Sequence, residues 1–300
     1  MQKAVFVHVV VWCLFATMVM GFLAWSGGQA TATNSEAKAS YQYVVAPTEP
    51  VPGVSGYVVI DEDTGEVLLA QAADVSRPTA SVIKLLVAAA ALQSDLLEAT
   101  TTISWSDVVA PEDFGKLTVG EVYTLRELLF PYLIESSNDA GAAIERAWGE
   151  ELTPIITEVL ADAGVEDAIT AADFSGLSPK TTATPAALAR LTQHLKKTTP
   201  TVFDITTLPQ YVGHQPLVNN SPFIADSDYL GGKHGYTLEA GKTAVVRFRA
   251  TYPDGERTLV AVLLGTDDSK AALIDLKAAL AESVTRTPQS AGDSAILPAS

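Results

Sequence analysis

Cysteine is almost absent from this 300-residue sequence, and histidine is scarce. The single cysteine, Cys13, lies in an apolar N-terminal stretch, so the rest of the chain can form neither a disulfide bond nor a thiolate metal site. The four histidines are scattered, and no two stand at the helical spacing that presents a pair of ligands: His8, His194, His214 and His234. We therefore expect no metal site and no cofactor.

Basic residues are few as well. The chain has 19 Lys and Arg against 35 Asp and Glu, which gives a formal net charge of −16. A surface of this sign repels a phosphate backbone, and no basic, aromatic-rich stretch offsets it, so nucleic acid is not expected as a partner. The Gly-x-Ser-x-Gly sequence of many Ser-His-Asp hydrolases is also missing, which argues against that class of enzyme.

Apolar residues, by contrast, make up 48% of the chain, enough for one sizeable domain or two small ones. Residues 4–25 form an uncharged, largely apolar stretch that is long enough, as a helix, to cross a membrane. We interpret residues 1–30 as a signal anchor or a cleaved signal peptide. Because Lys3 precedes the stretch, the chain that follows it is expected outside the cytoplasmic membrane.

Composition also suggests where the main domain begins and ends. Residues 31–52 are rich in Ala, Thr, Ser and Pro, which is typical of an extracytoplasmic linker. Residues 286–300 have a similar composition and are predicted to be a flexible tail. The main domain is therefore expected at residues 53–285.

The order of the predicted elements indicates the fold class. Strand-like runs with turn compositions between them occur at both ends of the domain: residues 56–61, 66–70, 244–251 and 258–265. The segments with helical patterns are mostly between these runs: residues 81–93, 125–134, 137–148, 152–163, 185–197 and 267–282. This order predicts an α+β domain in which the N- and C-terminal segments form an antiparallel sheet around an inserted helical subdomain. The active site is expected where sheet and helices meet.

The first candidate for chemistry is a serine that precedes an apolar run. Residues 78–84 (PTASVIK) lead into this run, and Thr79 is predicted to cap the helix, which places Ser81 in its first turn. Lys84 follows three residues later on the same face, and burial in an apolar helix would lower its pKa. Lys84 could then activate Ser81 without a histidine. A Ser-x-x-Lys match also arises by chance, so both interpretations stay open on this motif alone.

Two later segments contain further candidates. Residues 135–141 (ESSNDAG) stand between an apolar run and small residues, and a simple helix cap would explain them, since Ser, Asn and Asp favour a helix start. Residues 231–237 (GGKHGYT) have a strand pattern whose glycines would let a substrate backbone approach and whose Lys233 could attract a carboxylate. An edge strand with an exposed lysine explains the same residues.

Taken in order, the Ser-x-x-Lys, Ser-x-Asn and Lys-x-Gly motifs resemble the three signature motifs of penicillin-binding proteins and serine β-lactamases. The flanking residues 61–68 (DEDTGEVL) and 174–177 (FSGL) are similar to the low-molecular-mass D-alanyl-D-alanine carboxypeptidases. The resemblance implies a β-lactamase/transpeptidase-like fold. It also implies a serine D,D-carboxypeptidase that removes terminal D-alanine from peptidoglycan stem peptides and is covalently inhibited by β-lactams.

For acylation, the resemblance implies that Ser81 is the nucleophile and Lys84 the base that takes its proton. Ser136 would relay a proton to the leaving D-alanine. Asn138 would hold the substrate amide and help to position Lys84.

For binding, the resemblance implies that Lys233 supplies positive charge near the substrate carboxylate. The backbone N–H groups of Ser81 and Tyr236 would form the oxyanion hole. Arg257 would bind the terminal carboxylate, and two strand residues are alternatives for that role: Arg247 and Arg249.

His234 departs from the family pattern, because it replaces a threonine whose hydroxyl contacts the substrate carboxylate. We hypothesise that His234 donates the equivalent hydrogen bond, so that binding strengthens as the imidazole is protonated. The Glu-x-x-x-Asn element of class A β-lactamases is missing between Asn138 and Lys233, which argues against efficient β-lactam hydrolysis. A D,D-endopeptidase uses identical chemistry and stays possible, and His234 also leaves open a protein that binds peptidoglycan or β-lactams without turnover.

Overall fold

The computed structural model describes residues 51–108, 116–252 and 255–286. The predicted signal anchor, most of the linker, and the tail after residue 286 lie outside these residues. Within the described ranges, no helix combines the length and hydropathy needed to span a membrane.

The described residues form the following elements in chain order: β1 (Val54–Asp61), β2 (Val67–Gln71), β3 (Arg77–Pro78), a 3-10 turn (Ala80–Ile83), α1 (Lys84–Gln93), β4 (Thr100–Thr102), β5 (Val122–Thr124), α2 (Leu125–Ile134), α3 (Asn138–Asp162), β6 (Ile169–Thr170), β7 (Thr182–Ala183), α4 (Pro185–Thr198), α5 (Thr201–Thr206), β8 (Gln210–Val212), β9 (Pro216–Val218), β10 (Tyr229–Thr237), β11 (Gly241–Tyr252), β12 (Gly255–Thr266) and α6 (Ser269–Arg286).

The main sheet joins the two ends of the domain. It has five antiparallel strands in the order β10-β11-β12-β1-β2, and β1 pairs directly with β12 from Val54, opposite Thr266, to Asp61, opposite Leu259. Alternate residues of β1 face opposite sides, as the strand period requires. Tyr57 packs on the α6 side, and Val58 packs on the side of the other helices. The predicted α+β architecture is confirmed.

Helix α1 is apolar on every side. Residues 84–91 are all buried, as expected for a helix without a polar face. The helix packs against α2 and α3, and the 3-10 turn before it contacts β10 and β11. Its first turn therefore lies where the sheet meets the helical region, which is where the active site was predicted.

The second motif lies in a short turn between two helices. Helix α2 begins with a capping box, because Thr124 Oγ1 accepts the Glu127 N–H at 3.1 Å and Glu127 Oε2 accepts the Thr124 N–H at 2.8 Å. Only residues 135–137 separate α2 from α3. The predicted helices at 137–148 and 152–163 form the single element α3, with non-helical backbone angles at Trp148.

A buried ion pair ties β11 to the end of β1. Arg247 and Glu62 are 4% and 5% exposed, and the guanidinium donates to both carboxylate oxygens, with Nη2 at 2.8 Å from Oε2. Nη1 also donates to the Leu230 carbonyl at 2.7 Å, within the irregular pairing of β10 that precedes Lys233. The pair therefore holds the strand that carries the third motif.

We expect Arg247→Met to lower the free energy of unfolding by roughly 3–5 kcal/mol, because Glu62 would remain as a buried carboxylate without its partner. Arg126→Met is the matched control, since the Arg126–Glu98 pair has side chains that are 51% and 75% exposed and should cost about 1 kcal/mol or less. Urea unfolding of both variants measures the difference. Equal losses would contradict the buried-pair interpretation.

Candidate active site

Ser81 lies in the 3-10 turn that leads into α1. The residue before it, Ala80, has a φ of 47°, in the left-handed region that alanine rarely adopts. The Ser81 hydroxyl donates to the Ser175 carbonyl oxygen at 3.3 Å. Thr79 occupies the predicted cap position, but its hydroxyl accepts no helix N–H and instead donates to the Ala80 carbonyl at 3.1 Å. The predicted capping hydrogen bond is therefore wrong, although the helix begins where it was expected.

Lys84 is completely buried, and oxygen atoms of the second motif surround its ammonium group. Nζ donates to the Ser136 carbonyl at 2.6 Å, the Ser137 carbonyl at 3.2 Å and Asn138 Oδ1 at 2.9 Å, and it lies 3.5 Å from Ser136 Oγ. Burial and the nearby charge of Lys233 hold the pKa of Lys84 well below its usual range. A lysine whose pKa is lowered in this way is suited to act as a base.

The turn of the second motif contains both a helix cap and site residues. Ser137 caps α3, since its Oγ accepts the Ala140 N–H at 3.1 Å, so the capping interpretation is correct for this residue. Ser136 has a φ of 61°, a strained conformation for a residue other than glycine. In this conformation the Ser136 carbonyl accepts a hydrogen bond from Lys84.

Lys233 of the third motif is buried, with 3% of its surface exposed. Strand β10 is at the edge of the sheet, as one interpretation expected, but the lysine is not exposed. Its Nζ donates to the His234 carbonyl at 2.8 Å, and burial lowers its pKa to about 7. Gly235 then comes so close to the nucleophile that a Cβ there would lie 2.5 Å from the Ser81 nitrogen. The backbone of residues 235–236 therefore lies next to the start of the helix, which suits the predicted oxyanion hole.

His234 is only partly buried, yet its surroundings oppose a positive charge. Burial, followed by the charges of Lys233 and Lys84, lowers the pKa of His234 to about 2. The imidazole is therefore neutral in the free protein throughout the physiological pH range. A strengthening of binding through protonation of His234 does not fit this environment, although the neutral ring still has one N–H to donate.

Arg257 lies away from these residues. Its guanidinium packs 4.6 Å from the centre of the Tyr252 ring, and Nη1 is 3.9 Å from Asp61 Oδ2. Arg257 and Lys233 each pair with a residue of β11. These two residues of β11 are five positions apart, which corresponds to about 17 Å along the strand. This position does not support the predicted carboxylate-binding role.

The two alternative arginines are no better placed. The guanidinium of Arg247 is bound to Glu62, as described above. Arg249 is exposed and lies four residues along β11 from the partner of Lys233, about 13 Å away.

One segment at the site received no role from the sequence. The loop of residues 173–181 contributes the carbonyl that accepts the Ser81 hydrogen bond, and the Tyr132 hydroxyl donates to the Phe174 carbonyl of this loop. A Cβ on Gly176, whose φ is 76°, would lie 1.9 Å from the Ala80 oxygen. The FSGL sequence at residues 174–177 is the only signal for this segment, and it depends on the family resemblance alone.

Both the sequence and the fold of this chain match those of known proteins. A family model described as peptidase S11, D-alanyl-D-alanine carboxypeptidase, matches residues 45–268. The chain belongs to this D-alanyl-D-alanine carboxypeptidase family. A curated relative, the D-alanyl-D-alanine carboxypeptidase DacB2 of Mycobacterium tuberculosis, is 28% identical over 239 residues, which cover 74% of this chain and 79% of that protein.

Solved structures of the family have the same fold. The crystal structure of a D-alanyl-D-alanine carboxypeptidase from Mycobacterium tuberculosis matches with a TM-score of 0.68 at 26% identity, over 82% of this chain and 97% of that one. A mutant of the Streptomyces K15 DD-transpeptidase matches with a TM-score of 0.65 at 22% identity, over 78% and 98% of the two chains, and shows the fold alone. The fold predicted from the resemblance to this family is therefore confirmed.

We expect Gly176→Ala to lower the free energy of unfolding by about 3 kcal/mol or more, because the new methyl group would collide with the Ala80 carbonyl. Gly164→Ala is the matched control, since Gly164 has a similar φ of 64° with open space around it. That change should cost only the backbone strain of about 1–2 kcal/mol. Thermal unfolding compares the two variants, and equal losses would contradict the close packing at the site.

The pH dependence of stability should reveal the neutral His234. In the unfolded chain this imidazole takes up a proton below about pH 6.5, whereas in the folded site its pKa is lowered. Its contribution to stability is therefore complete above about pH 6.5 and is lost as the pH falls. We expect the wild type to lose about 1–3 kcal/mol more than His234→Thr between pH 7 and pH 4. Parallel stability curves would show that His234 titrates normally in the folded protein.

Proposed function

We propose that this chain is a serine D,D-carboxypeptidase that removes terminal D-alanine from peptidoglycan stem peptides through an acyl-enzyme on Ser81. The observation that carries the proposal is the buried Lys84, which starts α1 three residues after Ser81 and contacts Ser136 and Asn138. Membership of the carboxypeptidase family supports the same activity.

Acylation begins when the Ser81 hydroxyl exchanges its hydrogen bond to Ser175 for one to Lys84. A neutral Lys84 takes the proton, and Oγ attacks the carbonyl carbon of the penultimate D-alanine. The oxygen of that carbonyl gains negative charge beside the N–H groups of Ser81 and Tyr236, where two donors in a closed site stabilise the intermediate. The backbone next to Tyr236 packs directly on the Ser81 nitrogen, which supports this arrangement.

Collapse of the intermediate breaks the peptide bond and releases D-alanine. Its amine takes the proton held by Lys84, relayed through the Ser136 hydroxyl at 3.5 Å from Nζ. Water then attacks the ester, with the same groups acting in reverse, and frees Ser81. Lys233, whose charge acts on Lys84, and the neighbouring His234 would supply positive charge and one N–H donor for the substrate carboxylate.

The place of action follows from the substrate. We propose that residues 1–30 direct export and anchor the protein, that residues 31–52 are a linker, and that residues 53–285 act outside the cytoplasmic membrane. Peptidoglycan stem peptides are the proposed partners, and β-lactams are the proposed covalent inhibitors, because a β-lactam amide can acylate Ser81 in the same way. A peptidase that acts on the cell wall must reach that wall, which supports an extracytoplasmic location.

We expect a fluorescent penicillin to label the wild type covalently, with labelling reduced to background in Ser81→Ala, because Ser81 is the proposed nucleophile and Lys84 its base. Ser94→Ala is the control, since Ser94 lies at the opposite end of α1, about 15 Å away, and should label normally. Denaturing gels give the readout. Unlabelled but folded wild type would contradict the acyl-enzyme chemistry and favour a non-catalytic binding protein.

The same proteins should then be tested for D-alanine release. A carboxypeptidase releases free D-alanine from a pentapeptide stem, and Ser81→Ala should release about 1,000-fold less or none. Cleavage of a cross-linked dimer without D-alanine release from the pentapeptide would instead assign the D,D-endopeptidase activity.

A further inference from the structure

Two consecutive residues of the loop 173–181 contact Ser81 and the residue before it. Its Ser175 carbonyl accepts the Ser81 hydroxyl at 3.3 Å. Its Gly176 backbone packs so closely on the Ala80 carbonyl that no side chain fits between them. Whatever determines the conformation of this loop therefore determines where Ser81 is held.

Asp173 closes the loop with its carboxylate. Oδ2 accepts the Leu177 N–H at 2.8 Å, and Oδ1 accepts the hydroxyl of Thr181. The Thr181 oxygen in turn accepts the Asp173 N–H at 3.2 Å, while the Thr181 carbonyl accepts the Thr79 N–H at 3.1 Å. One carboxylate thus joins both ends of the loop and, through Thr181, the backbone two residues before the nucleophile.

Tyr132 links the same loop to the base. Its ring centre is 5.2 Å from Lys84 Nζ, and its hydroxyl donates to the carbonyl of Phe174, the residue after Asp173. Tyr132 is fully buried, so this connection is inside the protein and shielded from solvent. Movement of the loop would therefore disturb both Ser81 and the surroundings of Lys84.

The charge of Asp173 also acts on the base. Burial and Lys233 lower the pKa of Lys84, and Asp173 raises it. The other ionisable groups that act on or face Lys84 are His234, which is neutral, and Tyr132, whose pKa is raised well above its usual range by burial, by Asp173 and by Glu145. Among these described groups, Asp173 is the one negative charge that acts on Lys84.

We propose that Asp173 is a positioning residue of the acyl-transfer site, whose carboxylate fixes the loop that holds Ser81 and whose charge acts on the buried Lys84. This role rests on the proposed function and adds to it a residue outside the three motifs. Asp173 does not touch the reacting atoms; it acts through Ser175, Thr181 and Lys84.

Glu145 provides a matched control. Its Oε2 accepts the N–H of Phe174 at 3.2 Å, so it holds the same loop through one hydrogen bond. Its charge is not among those that act on Lys84. Glu145→Gln and Asp173→Asn therefore both neutralise a carboxylate bound to the loop, but only the second removes a charge that acts on the base.

The pH profile of acylation separates the two effects. Loss of the negative charge in Asp173→Asn lowers the proton affinity of Lys84, so the free base is populated at lower pH. We expect the acidic limb of the acylation rate with a fluorescent penicillin to move down by about 0.5–1 pH unit. The rate on the plateau should fall about 10-fold as Ser81 loses its fixed position. In Glu145→Gln, the acidic limb of the acylation rate should stay at its wild-type pH.

A second readout does not depend on activity. The Cε resonance of Lys84, followed by NMR in lysine-labelled protein, should titrate at lower pH in Asp173→Asn than in the wild type. A shift in this resonance without any acylation of the wild type would uphold the role of Asp173 in positioning and overturn the proposed function alone.

Unchanged titration of Lys84 together with an unchanged acylation limb would overturn the Asp173 proposal. Equal shifts in Glu145→Gln would overturn it too, because the effect would then belong to the loop and not to this charge. If Asp173→Asn does not fold, Asp173→Ala removes the same charge and takes its place. Failure of both to fold would make Asp173 a structural residue and end the proposal.

Discussion

The ammonium group of Lys84 is sealed from water, and its hydrogen bonds to three consecutive residues hold the site together. Helix α1 supplies the lysine, the turn between α2 and α3 supplies the carbonyl oxygens of Ser136 and Ser137, and Asn138 at the start of α3 supplies its Oδ1. A buried cation without such partners would cost several kcal/mol, so the turn must keep its strained conformation at Ser136 for the fold to tolerate Lys84. The hydrogen bonds of Lys84 thus hold together the residues proposed as base, relay and amide-binding residue, Lys84, Ser136 and Asn138.

The site also concentrates positive charge where there is little solvent. Lys84 and Lys233 are both buried. The charge of Lys233 lowers the pKa of Lys84, and the charges of both lysines lower the pKa of His234. This arrangement lowers stability and holds the pKa of Lys84 well below its usual range, which is what a lysine acting as a base requires. Asp173 opposes this effect at Lys84, because its negative charge raises the pKa of that lysine.

Close backbone packing determines the geometry around Ser81. Gly235 of the edge strand approaches from one direction, and Gly176 of the 173–181 loop approaches from another. Side chains at either position would force the 3-10 turn to move. The buried Arg247–Glu62 pair also holds the edge strand, because Arg247 donates to a carbonyl of that strand. A part of the sheet remote from the chemistry therefore helps to place the third motif.

Several features could be predicted from the sequence because they depend on neighbouring residues. The alternation of β1, the apolar run of α1 and the order of the three motifs indicated the fold class and the candidates Ser81, Lys84, Ser136, Asn138 and Lys233. Local chemistry also indicated a helix start in the second motif, and Ser137 is its cap.

Other features depended on packing between distant segments, which no local pattern encodes. Ser81 and Ser175 are 94 residues apart in the chain, yet their hydrogen bond makes the 173–181 loop part of the site. The burial of Lys233, the low pKa of His234 and the remoteness of Arg257 likewise follow from the sheet register and the desolvation it imposes. The sequence by itself determined which residues could react; only the tertiary structure decided which were buried together, because solvent exclusion and charge proximity arise when the sheet and helices close around them.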